Sequence, residues 1–257
     1  MYPIPLSLLI IVLGLMIGSF LNVCIYRIPL DRTVVKGRSS CPSCGNTILW
    51  YLNIPVMSYL FLRGRCKFCK EPISPRYPLV EILNALLTYG AFLRYGLTLT
   101  AILTAAFFSF LIVVSFIDLE HQIIPDGLVV GILLLGAGNA FYQTIVMNES
   151  WTVYVIGLLA ASLPLYLLGL LFPESLGGGD VKLMAAAGLF LGWKLILLAL
   201  LLGDLLALFY VLILIVQRKF DRTAPIPFGP FLSAGMISSL MLGDLLIGSY
   251  LRFLLLF

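Results

Sequence analysis

The chain has 257 residues, of which 61% are hydrophobic and only 11% are charged. An ordinary soluble domain carries about 25% charged residues. This composition therefore excludes a soluble globular protein, because a single core cannot bury so much apolar surface. It predicts an all-α polytopic membrane protein with the lipid bilayer as its solvent. The net charge of +4 says little as a total, but the positions of the charges are informative.

About eight apolar stretches follow one another, each near the length needed to cross a bilayer. They lie near residues 4–26, 79–94, 97–117, 126–147, 151–172, 181–193, 194–217 and 229–252. Lys194 alone separates the sixth stretch from the seventh. No basic residue precedes the first stretch, so we interpret it as a membrane helix rather than a cleaved signal peptide.

The cations are concentrated in one polar interval. Nine of the 16 Lys and Arg residues lie between Arg27 and Arg76. With the N-terminus outside, eight spans place this interval and the loops at 118–125, 173–180 and 218–228 in the cytosol. Thirteen of the 16 cations then face the cytosol, as the positive-inside rule requires. Membrane orientation explains these charges with fewer assumptions than nucleic-acid binding, which we do not expect.

Four of the five cysteines lie in the same interval, as two C-x-x-C pairs: Cys41 with Cys44, and Cys66 with Cys69. Each pair offers two thiolates from one tight turn, and two such turns can close the tetrahedral four-sulfur site that zinc accepts. In a reducing cytosol this pattern favours structural zinc, with disulfides or free thiols as the alternative. Four thiolates would fill the coordination sphere, so we do not expect zinc to take part in catalysis.

Two carboxylates stand at predicted cytosolic ends of spans, Asp118 and Asp180. An acidic residue at membrane depth is costly and therefore indicates function. Asp180 follows a glycine run in which Gly177 and Gly179 allow a neighbour or a substrate to approach the backbone closely. Two carboxylates that share one proton are the arrangement of aspartic proteases, with one acting as base towards water and the other as acid.

These residues belong to an ordered set of motifs. Residues 177–183 have the form G-x-G-D-x-K-L, and residues 118–126 have an Asp at the start and Pro-Asp at the end. The other segments of the set are residues 18–23, the C-x-x-C pairs, residues 76–81 and residues 225–230. From the first helix to the last, the set resembles the type IV prepilin peptidases, a family of GxGD-type intramembrane aspartic proteases.

The resemblance implies a bifunctional enzyme. Family members cleave the short basic leader of prepilins or pseudopilins after a glycine, at the cytosolic face of the bacterial inner membrane. They then methylate the new N-terminal residue with S-adenosylmethionine. Asp118 and Asp180 are the implied catalytic pair. We expect a first transmembrane helix at 1–26, a cytosolic four-cysteine zinc-knuckle insertion linked to methyltransferase activity at 27–78, and a membrane aspartic protease domain at 79–257.

Three residues are candidates for the methyltransferase function. Gly64 and Arg65, directly before Cys66, match a Gly-Lys pair of the family, with arginine in place of lysine. Glu81 begins the second span, where a part in methyl transfer competes with capping of the helix.

Two further residues are candidates for supporting catalysis. Asp126 either caps the fourth span or assists the aspartate pair. Lys182 either anchors to lipid headgroups or biases the ionisation of Asp180.

Two other classes of function remain open. In a proton-coupled transporter, Asp118 and Asp180 would carry protons or cations. A non-enzymatic assembly factor would use its zinc module to bind a cytosolic partner. A narrower alternative is a peptidase without methyltransferase activity. No sequence feature indicates an oligomeric state.

Overall fold

The computed structural model describes residues 2–35, 37–172, 177–221 and 225–254. Within these ranges the chain is all-α, as predicted, and its only β-structure is two isolated bridges. The helices are α1 Ile4–Arg27, α2 Met57–Phe61, α3 Arg76–Tyr95, α4 Leu99–His121, α5 Asp126–Val146, α6 Thr152–Ala160, α7 Ser162–Leu171, α8 Gly178–Val216 and α9 Gly229–Leu254. Parts of two predicted cytosolic loops, 173–176 and 222–224, lie outside the described residues.

Among the described residues, six helical segments are long and apolar enough to cross a membrane, against the about eight predicted. The predicted span at 79–94 is the helix α3, which is not among the six. The predicted spans at 181–193 and 194–217 are joined in α8, which is 39 residues long and bends at Gly192 with φ 74°. Hydropathy placed that boundary at Lys194, because it detects charge and not the dihedral angle that bends the helix.

The chain divides into two compact units, with the boundary after Val113. In the first unit α1 packs on α3 through small residues, as is usual between membrane helices. A Cβ on Gly14 would lie 2.7 Å from the Cα of Ala85, and a Cβ on Gly18 would lie 2.6 Å from the Cα of Glu81. The buried Asn84 side chain donates to the Gly14 carbonyl at 2.8 Å. Close backbone contact thus fixes where Glu81 lies.

In the second unit α5, α6, α7 and α9 all pack on α8. The bend of α8 is supported by α5, since the buried Asn139 side chain donates to the Phe190 carbonyl at 2.9 Å. Beyond the bend, Gly203 packs on the backbone of Phe231 and Leu232 in α9. These contacts fix α8 against α5 and α9, whose first turns lie near the segment that ends α4.

Candidate active site

Asp118 lies in the last turn of α4 and is only 6% exposed. Its Oδ2 accepts a hydrogen bond of 2.8 Å from the backbone N–H of Gly229, the first residue of α9. A Cβ at position 229 would lie 2.9 Å from that Oδ2 and 3.2 Å from the Cβ and Cγ of Asp118. The glycine therefore makes room for the carboxylate and also holds it. The remaining oxygen, Oδ1, is available for water or for a shared proton.

Asp180 lies in the first turn of α8, after the N-cap residue Gly177. Its N–H donates to the Gly177 carbonyl at 3.1 Å, and a Cβ at position 177 would lie 3.1 Å from Asp180 Oδ2. A Cβ on Gly179 would lie 3.0 Å from the Cβ of Ile124, in the link between α4 and α5. The expected close approach is therefore present at both glycines, and at Gly179 it brings the start of α8 against the segment that follows Asp118.

The two carboxylates are close enough to interact electrostatically. Asp118 stands at the C-terminus of one helix and Asp180 at the N-terminus of another. This is a carboxylate pair at helix ends, next to a glycine amide that fixes one oxygen. Such a pair can take a proton from water at one carboxylate and deliver a proton from the other.

Asp126 and Lys182 contact each other. The Lys182 Nζ lies 2.8 Å from Asp126 Oδ1, and both side chains are more than half exposed. Asp126 is in the first turn of α5, whose N-cap is Pro125, and no side chain caps that helix. The pair thus joins the first turns of α5 and α8, a contact that neither predicted role of these residues included.

In the first unit, the four predicted metal ligands come together. The Sγ atoms of Cys41, Cys44, Cys66 and Cys69 all lie within 4.8 Å of one another. A tetrahedral four-sulfur site with Zn–S bonds of about 2.3 Å has S···S separations of about 3.8 Å, and Cys41 Sγ lies 3.8 Å from Cys69 Sγ. All four cysteines are free thiols rather than disulfides. The donor set and its spacing fit zinc.

The two C-x-x-C turns are built alike. The N–H of Cys41 donates to the Asn46 carbonyl, and the N–H of Cys66 donates to the Glu71 carbonyl. Gly45 and Lys70, the residue after each pair, have φ values of 71° and 63°. Backbone N–H groups of Cys69 and Phe68 lower the pKa of the Cys66 thiol to about 6. The backbone of the second turn therefore favours the thiolate at Cys66, the form that binds metal.

Gly64 and Arg65 lead into the second of these turns. Gly64 has φ 66°, and its N–H and carbonyl bond to Tyr59 and Ile73. Arg65 lines an open cleft of about 550 Å³. The other residues that line the cleft are Phe61, Leu62, Arg63, Cys66 and Lys70.

Glu81, the third methyltransferase candidate, lies in α3 and not in this cleft. It is buried, with 7% exposed, and its Oε2 accepts a 2.7 Å hydrogen bond from the N–H of Val56. Its backbone packs directly against α1, since a Cβ on Gly18 would lie 2.6 Å from the Glu81 Cα. Val56 has φ 61° and is the N-cap residue of α2. Glu81 therefore ties the insertion to α1 and α3, a contact that its sequence position did not reveal.

Two residues near the aspartates were not singled out from the sequence: Gly229 and Gln122. The Gln122 Nε2 donates to the Pro225 carbonyl at 3.2 Å. The sequence signal that could have pointed to Gly229 is its place between Phe228 and Pro230 in the motif at residues 225–230. Gln122 has φ 55°, and no sequence pattern points to it.

Comparisons with known proteins show the family to which the chain is similar. A profile described as "Bacterial Peptidase A24 N-terminal domain" matches residues 12–95, and "Type IV leader peptidase family" matches residues 105–212. The chain is 34% identical to a Pseudomonas aeruginosa protein over 98% of this chain and 96% of that protein. It is 32% identical to a Bacillus subtilis protein, over 95% and 97% of the two chains.

A third relative, from Myxococcus xanthus, is 41% identical over 74% of this chain, a match that spans 58% of that protein. All three are named prepilin leader peptidase/N-methyltransferase. No solved structure matches the chain. The chain belongs to the type IV leader peptidase family.

Proposed function

We propose that this protein cleaves the leader peptide of type IV prepilins or pseudopilins after a glycine and then methylates the new N-terminal residue. The observation that carries the proposal is the meeting of Asp118 and Asp180 at two helix ends, beside the Gly229 amide. The family to which the chain belongs supports both activities.

In the cleavage step, Asp118 and Asp180 act as one acid–base unit. One carboxylate takes a proton from the attacking water, while the other donates a proton to the leaving amine. The Gly229 N–H holds Asp118 Oδ2 in place, so that Oδ1 stays directed to water or to the shared proton. Gly177 and Gly179 support the pair by leaving the Asp180 turn free of Cβ atoms that would crowd it.

The site lies at the cytosolic face of the bacterial inner membrane, with the N-terminus outside. With α3 and the two segments of α8 before and after Gly192 counted as spans, the positive-inside distribution of Lys and Arg supports this orientation. The chain is organised as the helix at 1–26, the four-cysteine insertion at 27–78 and the protease domain at 79–257. The prepilin is the partner, and its apolar helix docks from within the bilayer while its leader stays in the cytosol.

Zinc bound by the four cysteines would have a structural role, because four thiolates leave no open position for a substrate. S-adenosylmethionine supplies the methyl group when it is bound. In the open cleft beside Arg65, the cations of Arg63 and Arg65 would hold its carboxylate.

A cleavage assay in detergent or liposomes tests the proposal. A peptide with a leader, a glycine and an apolar helix is mixed with the protein, with and without S-adenosylmethionine, and the products are read by mass spectrometry. We expect loss of the leader and a gain of about 14 Da when the donor is present. Asp118→Asn and Asp180→Asn should each lower the cleavage rate by roughly 10²- to 10⁴-fold, the usual contribution of a catalytic acid or base.

Asp204→Asn is the matched control. Asp204 also follows a glycine in α8, but it is exposed, and Gly203 beside it packs on α9. Its substitution should leave cleavage near the wild-type rate. An intact peptide with folded wild-type protein would instead favour the transporter or the assembly factor. Cleavage at the wild-type rate by both Asp118→Asn and Asp180→Asn would contradict the catalytic pair.

A further inference from the structure

Val56, directly before α2, has a strained backbone. Its φ of 61° and ψ of −50° are close to those of a γ-turn with positive φ, a rare and strained conformation. The Met57 N–H closes the turn by donating to the Pro55 carbonyl at 2.6 Å. Positive φ is a genuine outlier for a β-branched residue. Such a conformation persists only where the surrounding structure holds it.

Glu81 in α3 makes a contact that can hold this turn. Its Oε2 accepts the Val56 N–H at 2.7 Å, and a hydrogen bond to a carboxylate is about twice as strong as one between neutral groups. Glu81 is buried, and its Cα lies against Gly18 of α1. The strained turn is therefore bonded to a fixed point on the packed helices α1 and α3.

The helix α2 connects this fixed point to the cleft beside Arg65. It has only five residues, too few to be stable by itself, so its position depends on contacts outside the helix. It begins directly after Val56. Its other end bonds to the residues that follow, through the N–H groups of Arg63 to Leu60, Gly64 to Tyr59 and Arg65 to Leu62. That end lines the cleft, whereas Glu81 is not among the lining residues.

We propose that Glu81 is a positioning residue for methyl transfer: its carboxylate holds the Val56 turn, and through α2 it sets the shape of the cleft beside Arg65. The inference rests on the proposed function, in which that cleft holds S-adenosylmethionine. Glu81 acts without touching the donor or the substrate. This role requires a hydrogen-bond acceptor at position 81 and no negative charge, which separates it from the role of a base.

Three substitutions separate the acceptor from the charge. Glu81→Gln removes the charge but keeps an oxygen that can accept the Val56 N–H. Glu81→Met has a side chain of similar length and removes the acceptor. Val56→Gly places at the strained position a residue that adopts positive φ without steric cost. Combined with Glu81→Met, it should therefore remove much of the need for the carboxylate.

Amide hydrogen exchange of the protein without S-adenosylmethionine tests the contact itself. We expect residues 57–65 to exchange about tenfold faster in Glu81→Met than in wild type, because losing a hydrogen bond to a charged group favours local opening. In Glu81→Gln and in the double variant Glu81→Met/Val56→Gly, exchange should stay within about threefold of wild type. Equal protection of these residues in Glu81→Met and wild type would overturn the inference.

Methylation of a peptide that is already cleaved tests the consequence for the reaction. In Glu81→Met we expect the KM for S-adenosylmethionine to rise about tenfold, with leader cleavage and zinc content unchanged. Glu81→Gln and the double variant should both restore the KM. If Glu81→Gln lost methylation while residues 57–65 stayed protected, the charge itself would be needed and the inference would be wrong.

Glu81→Gln also guards against a folding defect in Glu81→Met, because it changes the volume of the buried side chain very little. Wild-type protein separates a failure of this inference from a failure of the proposed function. If folded wild-type protein transferred no methyl group to the cleaved peptide, the methyltransferase part of the proposed function would be wrong, and the inference would fall with it.

Discussion

The cysteine cluster and the aspartate pair each join residues that are far apart in the chain, but by different means. Each C-x-x-C turn is local, closed by backbone bonds such as Cys41 N–H to Asn46 and Cys66 N–H to Glu71. The aspartates stand at the ends of two membrane helices, and helix packing alone brings them together. The comparison teaches that a metal bound by both turns would hold the two halves of the cluster together, whereas the pair depends on close backbone contact.

Removal of zinc should have the largest effect, and it tests whether a metal holds the two cysteine turns together. Structural zinc contributes roughly 10–16 kcal/mol of apparent binding free energy in zinc-finger peptides. We expect Cys66→Ser to lose its bound zinc and its methyl transfer, because Gly64 and Arg65 lead directly into that turn. Leader cleavage should persist. Zinc content by elemental analysis, with separate cleavage and methylation assays, measures these effects.

Cys24→Ser is the control for the chemical change. Cys24 is buried in α1, apart from the cluster, so this variant should retain about one zinc ion per chain. Full zinc content in Cys66→Ser would show that the cluster does not need this thiolate to bind zinc. Loss of cleavage together with methylation would show that the aspartate pair depends on the cysteine cluster.

Gly229→Ala tests whether the aspartate pair depends on close backbone contact. Its effect should be smaller than that of zinc removal. The new Cβ would lie 2.9 Å from Asp118 Oδ2, closer than real Cβ contacts allow, so the carboxylate must shift. A displacement of about 1 Å at a catalytic group can cost about 10²-fold in rate. We therefore expect a roughly ten- to hundredfold drop in the cleavage rate, and no change in methylation of a peptide that is already cleaved.

Gly178→Ala makes the same change in the turn that carries Asp180, where nothing lies within 4 Å of the added Cβ. It should cleave at nearly the wild-type rate. If the two alanine variants were equally impaired, close packing against Asp118 could not be the cause.

Sequence alone predicted the cluster better than the surroundings of the pair. A spacing of three residues fixes where two thiolates lie, so the ligands could be named from their pattern. Asp118 and Asp180 were predicted as a pair because carboxylates at span ends are rare and one follows glycines, and their catalytic role stays a prediction. Gly229 was missed as a partner because its contact joins residues 111 positions apart, and only the packing of α9 creates it.

The fold, too, was predicted from the sequence except where it depends on a single dihedral angle or on contacts between distant residues. Hydropathy predicted an all-α membrane protein and located every long helix. It divided α8 at Lys194, although one residue with a non-helical conformation, Gly192, makes the bend. Glu81 was predicted to begin a helix, but α3 begins five residues earlier at Arg76 and has no acidic residue in its first turn, so Glu81 does not cap it. Its bond to Val56 depends on how the insertion folds back.

The Asp126–Lys182 ion pair should have the smallest effect. Because both side chains are more than half exposed, water and salt screen their attraction, and such pairs contribute about 0–1 kcal/mol. Asp126→Asn should lower the thermal unfolding temperature slightly, and less at high salt. The Asp126→Asn/Lys182→Met double variant should lose little more than either single variant, because each single change already breaks the contact.

A large effect of Asp126→Asn on catalysis would contradict this expectation. If the variant lowered cleavage about a hundredfold without loss of stability, Asp126 would contact the substrate or the aspartate pair during the reaction. The active site would then include the exposed residue Asp126, through a contact that forms only when the substrate is bound.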